Sequence, residues 1–87
     1  MYRIAFSKKA QKDAKKLATS HLKPQAEKLI EVLKNDPFQN PPPYEKLTGK
    51  LKGCFSRRIN IQHRVVYEVF EEKQTVLVLR MWSHYEE

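Results

Sequence analysis

Residues 64 to 80 read R-V-V-Y-E-V-F-E-E-K-Q-T-V-L-V-L-R. Two runs rich in β-branched and aromatic side chains flank the polar stretch 71–74. Such side chains favour a pleated, half-buried surface, and a short polar link between two such runs predicts a β-hairpin. The second run, residues 76–79, is apolar on both parities, which marks a strand in the interior of its sheet. Working back from the hairpin, residues 53–61 read as another strand. Residues 36–43 hold four of the five prolines and predict a stiff, extended crossing.

Further upstream the period changes from two to about 3.6. Ala10, Ala14 and Leu17 recur on one helical stripe. Ser7 stands where an N-cap oxygen would accept the first free amides. Ala26, Leu29, Ile30 and Leu33 form the stripe of a second helix starting near Pro24, and Asn35 and Pro37 end it. The short link between the helices predicts a helical hairpin. Residues 2–6 add a first strand. The order βααβββ predicts an α+β fold: a helical hairpin packed on one face of a small, twisted, mainly antiparallel sheet. Eighty-seven residues are enough for one such domain, spanning 1–87.

Composition removes several function classes. Among 87 residues there is one cysteine, Cys54, so an intramolecular disulfide and a cysteine zinc cluster are excluded. Cys54 reads as a small packed hydrophobe. Two glycines, Gly49 and Gly53, cannot build a glycine-rich phosphate loop. Apolar runs reach about four residues, far from the roughly 18 needed to span a bilayer. No apolar leader is visible, so the expected location is the cytoplasm.

Charge points to an acidic partner. Seventeen Lys and Arg against ten Asp and Glu give a net charge of +7. Residues 1–58 carry fourteen basic and five acidic side chains (+9), and residues 59–87 carry three and five (−2). The basic surface therefore belongs to the first two thirds of the chain, and nucleic acid is its first expected partner.

Strand parity gathers the chemistry. Phe55, Ile59 and Ile61 share one face of their strand, leaving Arg58 and Asn60 opposite. Val65, Tyr67 and Val69 leave Arg64 and Glu68 opposite. If Leu77, Leu79 and Met81 face the helices, then Arg80, Trp82 and His84 join Arg58 and Arg64 on the open face. Guanidinium forks match phosphate oxygens, and a histidine can transfer protons near neutral pH. A solvated polar face is the plainer interpretation of the same pattern. Arg57 falls on the apolar parity and predicts a bulge or a strand edge there.

Four ordered motifs narrow the interpretation: Glu45 with Leu47; residues 51–59, L-K-G-C-F-S-R-R-I; residues 63–67, H-R-V-V-Y; and the pair His84-Tyr85. With them the chain resembles the YoeB branch of the RelE/ParE superfamily of bacterial toxins over nearly its whole length. That resemblance implies a microbial RNase, RelE-like fold. It also implies a ribosome-dependent endoribonuclease that cuts mRNA in the A site and thereby inhibits translation.

Carried over, Glu45 would be the general base that takes the ribose 2′-OH proton, and His84 the general acid for the leaving 5′ oxygen. Arg64 would stabilise phosphoryl charge, with Arg58 in support, and Tyr85 would stack on or orient the nucleotide. The products would be a 2′,3′-cyclic phosphate and a 5′-hydroxyl, with no metal or other cofactor. Arg57, Arg58, Lys8, Lys9, Lys12, Lys50 and Lys52 are the expected phosphate and RNA contacts. The implied partners are the 70S ribosome with its mRNA and an acidic, YefM-like antitoxin, with no membrane; a homodimer or a toxin–antitoxin hetero-oligomer are the implied assemblies. Thr48 departs from the lysine common in relatives, and Glu86 and Glu87 follow Tyr85 where relatives often stop.

Some residues keep plainer readings. Glu45 alone would read as a turn residue, His63 as structural or surface, and Trp82 as either core or a base-stacking platform. Two other functions fit less of the pattern. A ParE-like gyrase poison without nuclease activity has no use for the set Glu45, Arg64, His84 and Tyr85. A non-catalytic RNA-binding protein accounts for the charge but not for the ordered motifs.

Overall fold

The computed structural model describes residues 1–82. Their order is β1 (Arg3–Phe6), α1 (Lys8–Ala18), α2 (Lys23–Asn35), β2 (Glu45–Lys46), a 3-10 turn (Gly49–Leu51), β3 (Cys54–Arg58), β4 (Arg64–Phe70) and β5 (Thr75–Arg80). The five strands form one sheet in the order β1-β5-β4-β3-β2. β1 runs parallel to β5, and the other pairs are antiparallel. The α+β architecture with a helical hairpin on one face is as the sequence predicts. The two-residue edge strand β2 was not expected.

Local chemistry explains the helices. The Ser7 hydroxyl oxygen accepts from the Ala10 amide at 3.1 Å, capping α1, and donates to the Leu79 carbonyl at 2.9 Å, tying the cap to β5. Lys15 and Lys16 occupy the last turn of α1, where cations favour the helix dipole. In α2, Ala26, Leu29 and Leu33 are buried and Ile30 is half-buried. These stripes meet Val65, Tyr67, Val76 and Val78 in the main core. A smaller cluster on the other sheet face joins Cys54 and Val66 to Leu47, with Leu51 and Leu79 against it.

The register corrects two expectations. Val76 and Val78 face the helices, because Val76 pairs with Val69 and Val78 with Tyr67. Arg80, on their parity, also turns to the helix side, away from Arg58 and Arg64. Its Nε donates to Asp13 Oδ2 at 2.9 Å, and the Met81 amide donates to the same oxygen at 3.0 Å. β3 also ends at Arg58, so Ile61 lies in the following turn, 82% exposed.

The second correction concerns Arg57. β3 runs without a bulge there, since Arg57 pairs in register with Val65. The side chain is 1% exposed and points inward. Its Nη2 donates to the carbonyls of Pro37 (3.0 Å) and Gln39 (2.8 Å), Nη1 donates to the Pro42 carbonyl, and Nε donates to the Tyr67 hydroxyl at 3.1 Å. Tyr67 in turn donates to the Pro37 carbonyl at 2.8 Å. A buried cation demands hydrogen-bond partners, and here the proline-rich crossing supplies them from its backbone. Arg57 is thus the pin of that crossing and is not available to RNA.

Candidate active-site cleft

The crossing that Arg57 holds delivers Tyr44 and Glu45 to the sheet edge. Tyr44, Phe38 and Phe55 form a three-ring cluster with centroids 5.3 to 6.1 Å apart. The Arg57 guanidinium also lies 5.0 Å from the Tyr44 ring centroid. Glu45 follows directly and pairs with Ser56 in the β2–β3 ladder. On the next rung pair, Arg58 stands opposite Arg64. Ladder partners share a face, so Glu45, Ser56, Arg58 and Arg64 meet on one side of the sheet.

These four side chains, with Pro42, Pro43 and Tyr44, line a cleft of about 120 Å³. Arg64 Nη1 lies 3.7 Å from Glu45 Oε2 and 3.4 Å from Ser56 Oγ. The Arg64 side chain is 15% exposed and that of Glu45 is 58% exposed. An ion pair this open to water is worth about 1 kcal/mol or less, so it does not lock the carboxylate away from a ligand. Two arginines directly opposite on neighbouring strands repel each other. A phosphate between them would relieve that repulsion and offer acceptors to both forks. The cleft therefore sets an exposed carboxylate beside two arginines on one face of the sheet.

Among the described residues no group of three or more His, Cys, Asp and Glu side chains could hold a metal ion. The thiol of Cys54 is pushed up by burial and by the charge of Glu68, which makes it a poor nucleophile. Lys8, Lys9 and Lys12 are exposed on α1, and Lys50 and Lys52 are exposed around the 3-10 turn. His84 and Tyr85 lie outside the described residues. Ser56 was missed by the sequence reading, although its parity with Arg58 was a usable signal.

Comparison with known proteins bears on the family and the fold. The family described as "YoeB-like toxin of bacterial type II toxin-antitoxin system" matches residues 6–85. Toxin YoeB of Mycobacterium bovis is 40% identical over 53 residues, which cover 61% of this chain and 62% of that protein. The match thus spans less than two thirds of that relative. The YoeB/ParE toxin from Agrobacterium tumefaciens superposes with a TM-score of 0.87 at 27% identity, covering 95% of this chain and 99% of the other. The YoeB chain of a YoeB–YefM complex from Staphylococcus aureus gives 0.82 at 27% identity, covering 98% of this chain and 99% of the other. With that match over residues 6–85, the chain belongs to the family of YoeB-like toxins of bacterial type II toxin–antitoxin systems.

Proposed function

We propose that this protein is a ribosome-dependent endoribonuclease that cuts mRNA in the A site and inhibits translation. The observation that carries the reading is the meeting of Glu45 and Arg64 at 3.7 Å in a cleft with Arg58. Glu45 removes the proton from the ribose 2′-OH, and the freed oxygen attacks the adjacent phosphorus. Arg64 and Arg58 neutralise charge on the phosphoryl oxygens as it develops. His84 protonates the departing 5′ oxygen, and Tyr85 orients the nucleotide. The bond from phosphorus to the 5′ oxygen breaks as the 2′ oxygen bond forms, leaving a 2′,3′-cyclic phosphate and a 5′-hydroxyl. The guanidinium pair supplies the charge stabilisation, and the reaction proceeds without a metal.

The protein acts as one cytoplasmic domain over residues 1–87. Lys8, Lys9, Lys12, Lys50 and Lys52 supply attraction to ribosomal RNA. An acidic antitoxin, by analogy with the YefM bound to the Staphylococcus aureus relative, neutralises it. The test is to add the purified protein to translating ribosomes carrying a defined mRNA and to map the new 5′ ends. Cleavage within A-site codons, reduced about a hundredfold or more in Glu45→Gln and His84→Ala, is expected. Intact mRNA beside wild-type protein would falsify the reading.

A further inference from the structure

Residues 37–43 include four prolines, which have no amide to give to a sheet ladder. Side chains of the sheet hold this stretch instead. Arg57 donates to the carbonyls of Pro37, Gln39 and Pro42, and the Tyr67 hydroxyl accepts from Arg57 Nε and donates to the Pro37 carbonyl. Both side chains are fully buried. From Pro42 the chain reaches Glu45 in three residues, a span of at most about 11 Å. Along it the Tyr44 ring packs on Phe38, Phe55 and the Arg57 guanidinium. β2 itself is two exposed residues at the sheet edge, and a ladder that short with no buried side chain opens readily. Downstream, the Leu47 amide donates to the Cys54 carbonyl at 3.0 Å. Arg57 stands between Ser56, the partner of Glu45, and Arg58, the partner of Arg64. One strand thus carries cleft groups on one face and the pin of the crossing on the other.

We propose that Arg57 is a positioning residue that, with Tyr67, sets the carboxylate of Glu45 against Arg64. The inference rests on the endoribonuclease reading, in which Glu45 takes a proton. Arg57 is buried away from any substrate and acts only through the crossing. The planar guanidinium suits this task, because its donors diverge and reach three carbonyls and a hydroxyl at once. A lysine in its place keeps the charge but donates from a single nitrogen and cannot span the same set. Such control matters because a displacement of about 1 Å at a reacting group can cost a hundredfold in rate.

The experiment compares wild type, Arg57→Lys, Tyr67→Phe and Leu17→Ala at a temperature where all are folded. Leu17 is buried on α1, so its truncation loosens the core without touching the crossing. The readouts are amide hydrogen exchange, ribosome binding and single-turnover cleavage on saturated ribosomes. Arg57→Lys should speed exchange of the Leu47 amide tenfold or more over that of α2 amides. It should also slow cleavage about tenfold or more, with ribosome affinity within twofold of wild type. Tyr67→Phe should show a smaller loss of both kinds, and it carries the comparison if Arg57→Lys does not fold. Leu17→Ala should cleave within twofold of wild type. In a Glu45→Gln background, Arg57→Lys should add less than twofold, because the group it places no longer accepts a proton. Wild-type cleavage in Arg57→Lys, an equal loss in Leu17→Ala, or the full tenfold loss on top of Glu45→Gln overturns the proposal. Should wild-type protein leave mRNA uncut, the endoribonuclease reading fails separately. Exchange then decides the anchor by itself: faster exchange at Leu47 in Arg57→Lys supports it, and unchanged exchange refutes it.

Discussion

Arg57 and Asp13 show how single charges are made tolerable inside a small fold. Replacing Arg57 with methionine keeps much of its volume but strands the Pro37, Gln39 and Pro42 carbonyls. Each had a charge-assisted bond worth about 1.5 to 3 kcal/mol. Arg57→Met should therefore lose about 3 kcal/mol or more in urea unfolding. Asp13 gives a pH signature. Burial pushes its carboxyl up, but the Arg80 hydrogen bond, the Met81 amide and the charges of Arg80 and Lys16 outweigh burial and hold it below the ordinary value of 3.8. A carboxyl lowered on folding stabilises above its unfolded value. That stabilisation is lost as pH falls from about 4 through the lower folded value. Urea midpoints measured from pH 6 to pH 2.5 should fall steeply below pH 4, and the part due to Asp13 should vanish in Asp13→Asn.

At the scale of elements, the hairpin of β4 and β5 was legible from its β-branched and aromatic runs around a polar link, and both helices from their apolar periods. Leu33 of α2 is fully buried, and Leu33→Ala should cost about 2 to 5 kcal/mol by thermal or urea unfolding. The sequence was less able to show which parity of β5 faces the helices, since residues 76–79 are apolar on both sides. Only the pairing of Val78 with Tyr67 decides it, and Arg80 follows Val76 and Val78 to Asp13. β2 was invisible because Glu45 and Lys46 are exposed, and a two-residue edge strand has no period to detect. Arg57 carried a signal that was misassigned: an arginine on a buried parity needs acceptors, and the proline crossing had carbonyls without amides to pair with. Of the proposed site, Glu45, Arg58 and Arg64 meet in one cleft, whereas His84, expected from strand parity and motif order, and Tyr85, expected from motif order, lie outside the described residues.

Across the whole molecule, the proposed function divides the net charge of +7 between attraction and chemistry. In the proposed function, the exposed lysines of α1 and of the 3-10 turn would hold ribosomal RNA, and the cleft arginines Arg58 and Arg64 would bind the scissile phosphate. Combined Lys8→Ala, Lys9→Ala and Lys12→Ala should weaken ribosome binding and flatten its salt dependence by up to about three units of log–log slope. Cleavage on saturated ribosomes should stay close to wild type. The central claim is that the Glu45–Arg64 cleft drives attack by a ribose 2′-OH. The most direct measurement uses ribosomes programmed with mRNA carrying a single 2′-deoxy substitution at the cleaved nucleotide. The account predicts no cut at that position and, on unmodified mRNA, 2′,3′-cyclic phosphate ends. Cleavage of the 2′-deoxy message at the same bond would contradict it.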